Sequence, residues 1–369
     1  MKDCFATRGF LPGEDPATEL TLGEPFRLLD QLGHDLPSLL LEPGFRDFMR
    51  QQTLPDWPYD NIPEGLEPQA RLYYVRLGFL ASGYINQISQ PPCHLLPVNL
   101  AVPLCKIAGL LERPPMLSYD GYTLYNWKRF DPAGPIALGN IDTLQNFVHL
   151  YDEHWFILVH VEIEALAAKI FDEIIQLDQR QGFDDAGQVD ALLLTIAEVM
   201  ERMIDSLERI PERMSDELYY SRFRPYISQF HDVRYEGTHQ PPISYRGETG
   251  AQSTFMPVLT SLLKIPHEQN KLTRHLLDMR NYMPASHRQW LEWVDQLPDF
   301  RELASEDAFD NALEQMALFR ELHYHWAIKY IARRSSDPQG TGGTPYLKWL
   351  KFLIDETRHY KKGAIQHPG

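Results

Sequence analysis

The sequence predicts an all-α protein, with a large helical domain from about residue 116 onward and a smaller, mostly helical but irregular N-terminal domain over residues 1–115. Three observations support this. From about Ile141 the apolar residues recur at helical spacing almost everywhere. Prolines are segregated: seventeen of the 28 lie at or before Pro135, and none lies between Ile136 and Ile210. No convincing period-two series marks a strand.

Within the proline-rich third, Gln69 to Gln87 places Leu72, Val75, Phe79 and Leu80 on one face and reads as a helix. The rest of that region reads as turns and short helices. Beyond it the pattern predicts helices over 141–178, 187–210, 215–230, 251–264, 266–280, 284–296, 306–333 and 344–359. Pro211, Pro266, Pro284 and Pro345 fall at their boundaries, where a residue without an amide donor is tolerated. No repeat of fixed period appears, which argues against a solenoid.

Composition removes several classes of function. Lys and Arg total 35 against 51 Asp and Glu, a formal net charge of −16, so there is no basic face for a nucleic acid. The three cysteines, Cys4, Cys93 and Cys105, are too few and too scattered for a disulfide framework or a cysteine-rich zinc site. Gly and Pro break the apolar start before a signal segment forms, and Pro97, Pro103 and Lys106 cut the most apolar long stretch. A soluble, cytoplasmic protein without a membrane partner is expected.

Chemistry concentrates in four places. On the helix ending near residue 333, His323 shares a face with Met316, Phe319, Trp326, Ala327 and Tyr330, whereas His325 lies about 200° around, so the two cannot bind one metal. His323 is either a core histidine bonded to a carbonyl or a single axial ligand to haem iron facing an aromatic cavity. Arg320, one turn earlier, suits a haem propionate or a surface salt bridge. His160 has Phe156, Ile157 and Ile163 as helical neighbours and Glu164 four residues on. It reads either as a core histidine satisfied by Glu164 or as a distal hydrogen-bonding group near oxygen or substrate.

In the third place, LYYSRFRPY, Arg224 follows Tyr220 by four residues, so an aromatic wall and a carboxylate-binding guanidinium can share a cavity; ordinary helix packing is the alternative. The fourth comprises two glycine loops, RGETGAQST at 246–254 and GTGGT at 340–344. Both are candidates for presenting amides to an anion, and the second is also a candidate lid or a plain connection. Neither has a P-loop lysine.

Several segments, in order, resemble the indoleamine 2,3-dioxygenase family of haem enzymes: YNW at Tyr125–Trp127, EHWFILVHVEIEA around His160, GETGAQS, NYMPASHR at Asn281–Arg288, the RELH ending in His323, and GTGGT. They span roughly 116–358. The resemblance implies haem b (iron protoporphyrin IX) held by His323, with Arg320 at a propionate. It further implies that Arg224 receives the substrate carboxylate, that Phe156 packs on the indole, and that Tyr119, Tyr219, Tyr220 and Thr341 complete the substrate pocket.

The expected reaction inserts O2 across the indole C2–C3 bond of L-tryptophan to give N-formylkynurenine, with an electron donor keeping the iron ferrous. His160 stands where the animal enzymes have serine, Tyr122 replaces a smaller residue, and Tyr219 and Tyr220 replace a Phe-Phe pair. A distal histidine is familiar from the sister tryptophan 2,3-dioxygenases. An oxygen-binding or sensing haem protein and a dioxygenase for another indole are the alternative readings.

Overall fold

The computed structural model describes residues 2–88, 90–335 and 345–363. Its first third carries helices α1 (Lys2–Arg8), α2 (Glu24–Leu39), α3 (Phe45–Arg50), α4 (Glu67–Ile85) and α5 (Val98–Leu110). Two of them are longer than expected for this proline-rich region. Helix α2 aligns Phe26, Leu29, Leu32 and Leu36 as a buried stripe, and its Pro25 sits in the first turn, where no amide partner is needed. Helix α5 tolerates Pro103 in its interior while burying Leu100, Leu104 and Ile107. Helix α4 is buried along nearly its whole length and forms the axis of the surrounding core. Its buried Arg76 is neutralised by Asp30 at 2.9 Å and donates to Gln145 at 2.9 Å.

The described residues include five short strands, β1 (Leu95–Leu96), β2 (Trp127–Arg129), β3 (Ile141–Thr143), β4 (Phe230–Tyr235) and β5 (Ile243–Tyr245). Strand β4 pairs parallel with β1 and antiparallel with β5, while β2 and β3 form an antiparallel pair with Trp127 opposite Thr143. Strands of two to six residues are too short to leave a readable alternation. The all-α class is unaltered by them.

The second part contains α6 (Tyr151–Leu166), α7 (Ala168–Gln179), α8 (Ala186–Glu208), α9 (Ile210–Arg213), α10 (Asp216–Leu218), α11 (Phe255–Leu262), α12 (Lys271–Arg280), α13 (Ala285–Asp295), α14 (Glu306–Tyr330) and α15 (Tyr346–His359). Two predicted helices are corrected. The stretch 141–178 divides into β3, α6 and α7, because Ile141–Thr143 pairs with β2 and Glu153 gathers the amides of Phe147 and Val148, each at 2.9 Å, into a loop. The stretch 215–230 becomes α10, a π-turn at Tyr219–Phe223, a 3-10 turn at Arg224–Ile227 and the start of β4; Pro225, which lacks an amide, prevents one continuous helix. The other predicted helices differ mainly at their ends.

Side-chain caps fix several starts. Asp185 accepts from the Gln188 amide at 3.0 Å before α8, and Ser305 from Ala308 at 3.4 Å before α14, where Glu306 and Asp307 complement the helix dipole. Helix α14 packs between α8 and α15.

Two apolar cores result. One surrounds α4; the other joins Phe5 and Phe10, at the chain start, to α7, α8, α11, α13 and α14. Helix α6 serves both, giving Ile157, Leu158 and Val161 to the first and Trp155, Val159 and Ile163 to the second. Phe156 packs against both cores, which places it and His160, one turn on, at the seam. Among the described residues no helix is long and apolar enough to cross a membrane.

Candidate active site

A cavity of about 620 Å³ opens in the second core, within the range of small-molecule and cofactor sites. Helices α6, α11, α12, α14 and α15 wall it, together with the loop 248–255. Helix α14 supplies Phe319, Arg320, His323, Trp326 and Tyr330 from one face, as helical spacing requires.

His323 lies deep in the molecule yet its side chain is accessible, because its surface faces the cavity rather than the exterior. Burial, helped by the nearby His160, lowers its pKa to about 4, so the ring is a neutral nitrogen donor at pH 7. No hydrogen bond joins its side chain to another described residue. The carbonyl-bonded core histidine is therefore not what the fold builds. Among the described residues no group of three His, Cys, Asp or Glu gathers as a metal cage.

Arg320 lines the same cavity and is buried. It donates to the carbonyl of Leu353 at 3.1 Å, to the hydroxyl of Thr260 at 3.2 Å and to that of Thr357. All three acceptors are neutral. Burial lowers its pKa to about 10, opposed by Glu356, but that carboxylate bonds His267 at 2.8 Å instead. The surface salt bridge is thus excluded. A buried cation among neutral acceptors matches an anionic group brought by a ligand. A neutral imidazole facing a cavity, one turn from such a cation, fits a haem with its iron and propionate.

His160 enters the cavity from α6. Its Nδ1 donates to the Phe156 carbonyl at 2.7 Å, which leaves Nε2 as an acceptor, and burial depresses its pKa. The expected contact with Glu164 does not form. That carboxyl instead receives Tyr119 Oη at 2.9 Å and Ser253 Oγ at 2.6 Å, and burial pushes it up to about 7. The Tyr119 ring stands edge-on to His160, with centroids 6.4 Å apart. Phe156 packs on the His160 ring at 4.6 Å and on Tyr219 at 5.5 Å.

Of the residues expected in the site, Tyr119, Phe156, His160, Tyr219, Arg320 and His323 line the cavity. Tyr220 and Arg224 lie outside that lining, with the guanidinium over the Tyr220 ring at 5.5 Å. Tyr122 stands behind the wall and donates to Glu153 at 3.1 Å. Thr341, with the GTGGT loop, lies outside the described residues. The GETGAQS loop is not an amide nest: Thr249 and Gly250 carbonyls take the amides of Gln252 and Ser253 at 2.9 and 3.0 Å. It brings Glu248 into the cavity wall, a residue that sequence reasoning did not single out.

The family model for indoleamine 2,3-dioxygenase matches residues 3–360 of this chain. "Indoleamine 2,3-dioxygenase 1" of Rattus norvegicus is 28% identical, over 81% of this chain and 80% of its own length. "Indoleamine 2,3-dioxygenase" of Saccharomyces cerevisiae is also 28% identical, over 95% of this chain and 90% of its own. "6-hydroxytryptophan 2,3-dioxygenase fscD" of Fusarium equiseti is 25% identical, over 95% and 94%. With a family match over nearly the whole chain and a deep cavity carrying the expected imidazole, this chain belongs to the indoleamine 2,3-dioxygenase family.

Proposed function

We propose that this protein is a haem-dependent dioxygenase that inserts both atoms of O2 across the indole C2–C3 bond of L-tryptophan, giving N-formylkynurenine. The observation that carries the reading is the pairing of His323, neutral and facing the cavity, with Arg320, buried one turn away among neutral acceptors. His323 would hold the iron and Arg320 a propionate. When bound, haem b supplies the redox chemistry with dioxygen; an electron donor keeps its iron ferrous.

The chain's own residues bind, orient and exclude water. Phe156 and Tyr219 form an aromatic corner for the indole ring, with Tyr119 beside it. His160 presents Nε2 as an acceptor, so the indole N–H is its matching partner and its role is to position the ring. Arg224, with Tyr220 beneath its guanidinium, takes the substrate carboxylate, and Thr341 is proposed as a further substrate-binding residue from the family resemblance alone. Apart from Phe5 and Phe10, which are built into the second core, residues 1–115 act as a cap on the part that would bear the haem, 116–369, and the cytoplasm is the proposed location.

A hydroxylated indole is a second reading, supported by hydroxyl and carboxyl groups in the wall at Tyr119, Tyr219 and Glu248 and by the printed name of the Fusarium relative. The test is an absorption spectrum of the purified protein before and after reduction, followed by product analysis with L-tryptophan and O2. The reading expects a haem spectrum and a product heavier than tryptophan by two oxygen atoms. A colourless protein that stays so with added hemin overturns it. A stable oxygen complex that never yields product makes the protein a carrier or sensor, and conversion of another indole alone moves the substrate assignment.

A further inference from the structure

Tyr119 is held against helix α6 at two points one turn apart. Its ring stands edge-on to His160, with centroids 6.4 Å apart and planes at 79°, and its hydroxyl donates to Glu164 Oε1 at 2.9 Å. His160 and Glu164 are four residues apart on α6, so one face of the helix presents both. The backbone of Tyr119 is fixed as well: its amide donates to Gln252 Oε1 at 2.9 Å, and Gln252 Nε2 donates to the Gly247 carbonyl at 3.0 Å. A ring held at its amide, its edge and its hydroxyl has little freedom to turn.

The same carboxylate oxygen has a second partner, since Ser253 Oγ, from the loop 248–255, donates to Glu164 Oε1 at 2.6 Å. Tyr119, His160 and Ser253 line the cavity, whereas Glu164 is fully buried behind them and outside the lining. One carboxyl thus joins three separate pieces of the wall: the turn at Tyr119, helix α6 and the loop 248–255. Both of its side-chain hydrogen bonds go to wall residues, and its Oε2 takes none from a described residue. Burial raises its pKa to about 7, which makes the ionised group a cost to the fold. A carboxyl kept in the core at such a cost, and bonded only to the lining of a cavity, serves that cavity rather than the scaffold.

We propose that Glu164 is a positioning residue: by tying Tyr119 Oη and Ser253 Oγ to one oxygen it fixes the wall beside His160, so that the substrate ring is held there in a single orientation. This rests on the dioxygenase reading for the identity of the ring. Glu164 itself touches no ligand. It governs the angle of a bound ring more than its affinity, because the aromatic corner of Phe156 and Tyr219, 5.5 Å apart, is built without it. Loss of alignment with binding retained is read in kcat rather than in the dissociation constant.

The experiment takes the purified haem-loaded protein and L-tryptophan and measures haem content, the dissociation constant by calorimetry without oxygen, and kcat. Glu164→Leu should lower kcat roughly 10- to 100-fold, with haem content unchanged and the dissociation constant within about threefold of the wild type. Glu164→Gln, whose side-chain carbonyl still accepts from both hydroxyls, should retain most of kcat. Tyr119→Phe should lower kcat by roughly three- to tenfold in the wild-type background and add nothing to Glu164→Leu, because the hydroxyl acts through the acid. If Glu164→Leu does not fold, Tyr119→Phe decides by the same split between kcat and affinity. The proposal is overturned if kcat is kept, if affinity or haem content falls as far as kcat, if Glu164→Gln loses as much as Glu164→Leu, or if the effect of Tyr119→Phe persists undiminished in the double variant. A wild type that converts no tryptophan overturns the dioxygenase reading and this proposal with it; the other outcomes, in an active wild type, overturn the proposal alone.

Discussion

His160 and His323 share one cavity from two different helices, and their imidazoles are committed in opposite ways. His160 has its Nδ1 bonded 2.7 Å from the Phe156 carbonyl, whereas no described residue hydrogen-bonds the side chain of His323. The first is an oriented acceptor. The second faces the cavity with its ring unclaimed by any described residue.

That difference separates two substitutions. His323→Ala should abolish haem retention, read as loss of the haem absorbance per mole of protein after reconstitution. His160→Ala should keep the haem and lower kcat/KM for tryptophan, by about tenfold or more for loss of an orienting hydrogen bond. Unchanged kinetics in His160→Ala, or a full haem complement in His323→Ala, refutes the corresponding role.

Arg320→Met isolates the value of a buried cation. Without an anionic ligand the guanidinium bears a desolvation cost, offset by bonds to Leu353, Thr260 and Thr357, so its removal should change apoprotein stability by only about 1 kcal/mol. Haem affinity should fall by about tenfold or more, since a charge-assisted bond is lost. Urea melts of the haem-free form and hemin titrations measure the two effects. Equal losses in both would reduce Arg320 to a structural clamp.

Glu164 sets a dependence on pH. Its carboxyl ordinarily titrates at 4.5, and burial raises it to about 7 in the fold. The folded state thus holds the proton more tightly, and the stabilisation is complete below pH 4.5 and lost as pH rises through 7. Glu164→Gln stays neutral and can still accept from Tyr119 and Ser253. The variant should match the wild type near pH 5 and exceed it by roughly 2–3 kcal/mol near pH 8. Parallel urea melts at both values decide it; a constant offset would show that Glu164 is ionised in the fold throughout.

Gly9 approaches the backbone of α6 closely. It has φ +63°, and a Cβ there would stand 2.0 Å from the Glu164 carbonyl oxygen. Gly9→Ala should cost about 3 kcal/mol or more, since both backbone conformation and space oppose it. A denaturation midpoint within a few tenths of the wild type would contradict the close packing.

Sequence spacing revealed the parts of the site that share one helix. Arg320 and His323 are three residues apart, so their common face follows from geometry, and Phe156 and His160 are four apart in the same way. What spacing missed depends on distant contacts. Glu248 faces inward because Ile227, Gln252 and Tyr282 hold its loop, and Glu164 turns away from His160 because Tyr119 and Ser253 claim it. The same limit explains the fold: α8 and α11 to α15 were legible from their apolar stripes, whereas β2 and β3 exist only through each other and the 215–230 stretch is broken by Pro225 and ends in a strand paired with distant residues. In α2, burial of four apolar side chains outweighed a proline count that suggested broken structure.

Arg320 reaches from α14 to the backbone of Leu353 and the hydroxyl of Thr357, so a residue of the cavity wall also fastens α15. Under the proposed function, porphyrin loading and the seating of α15 draw on the same guanidinium, so the proteolytic lifetime of this polypeptide should respond to porphyrin supply.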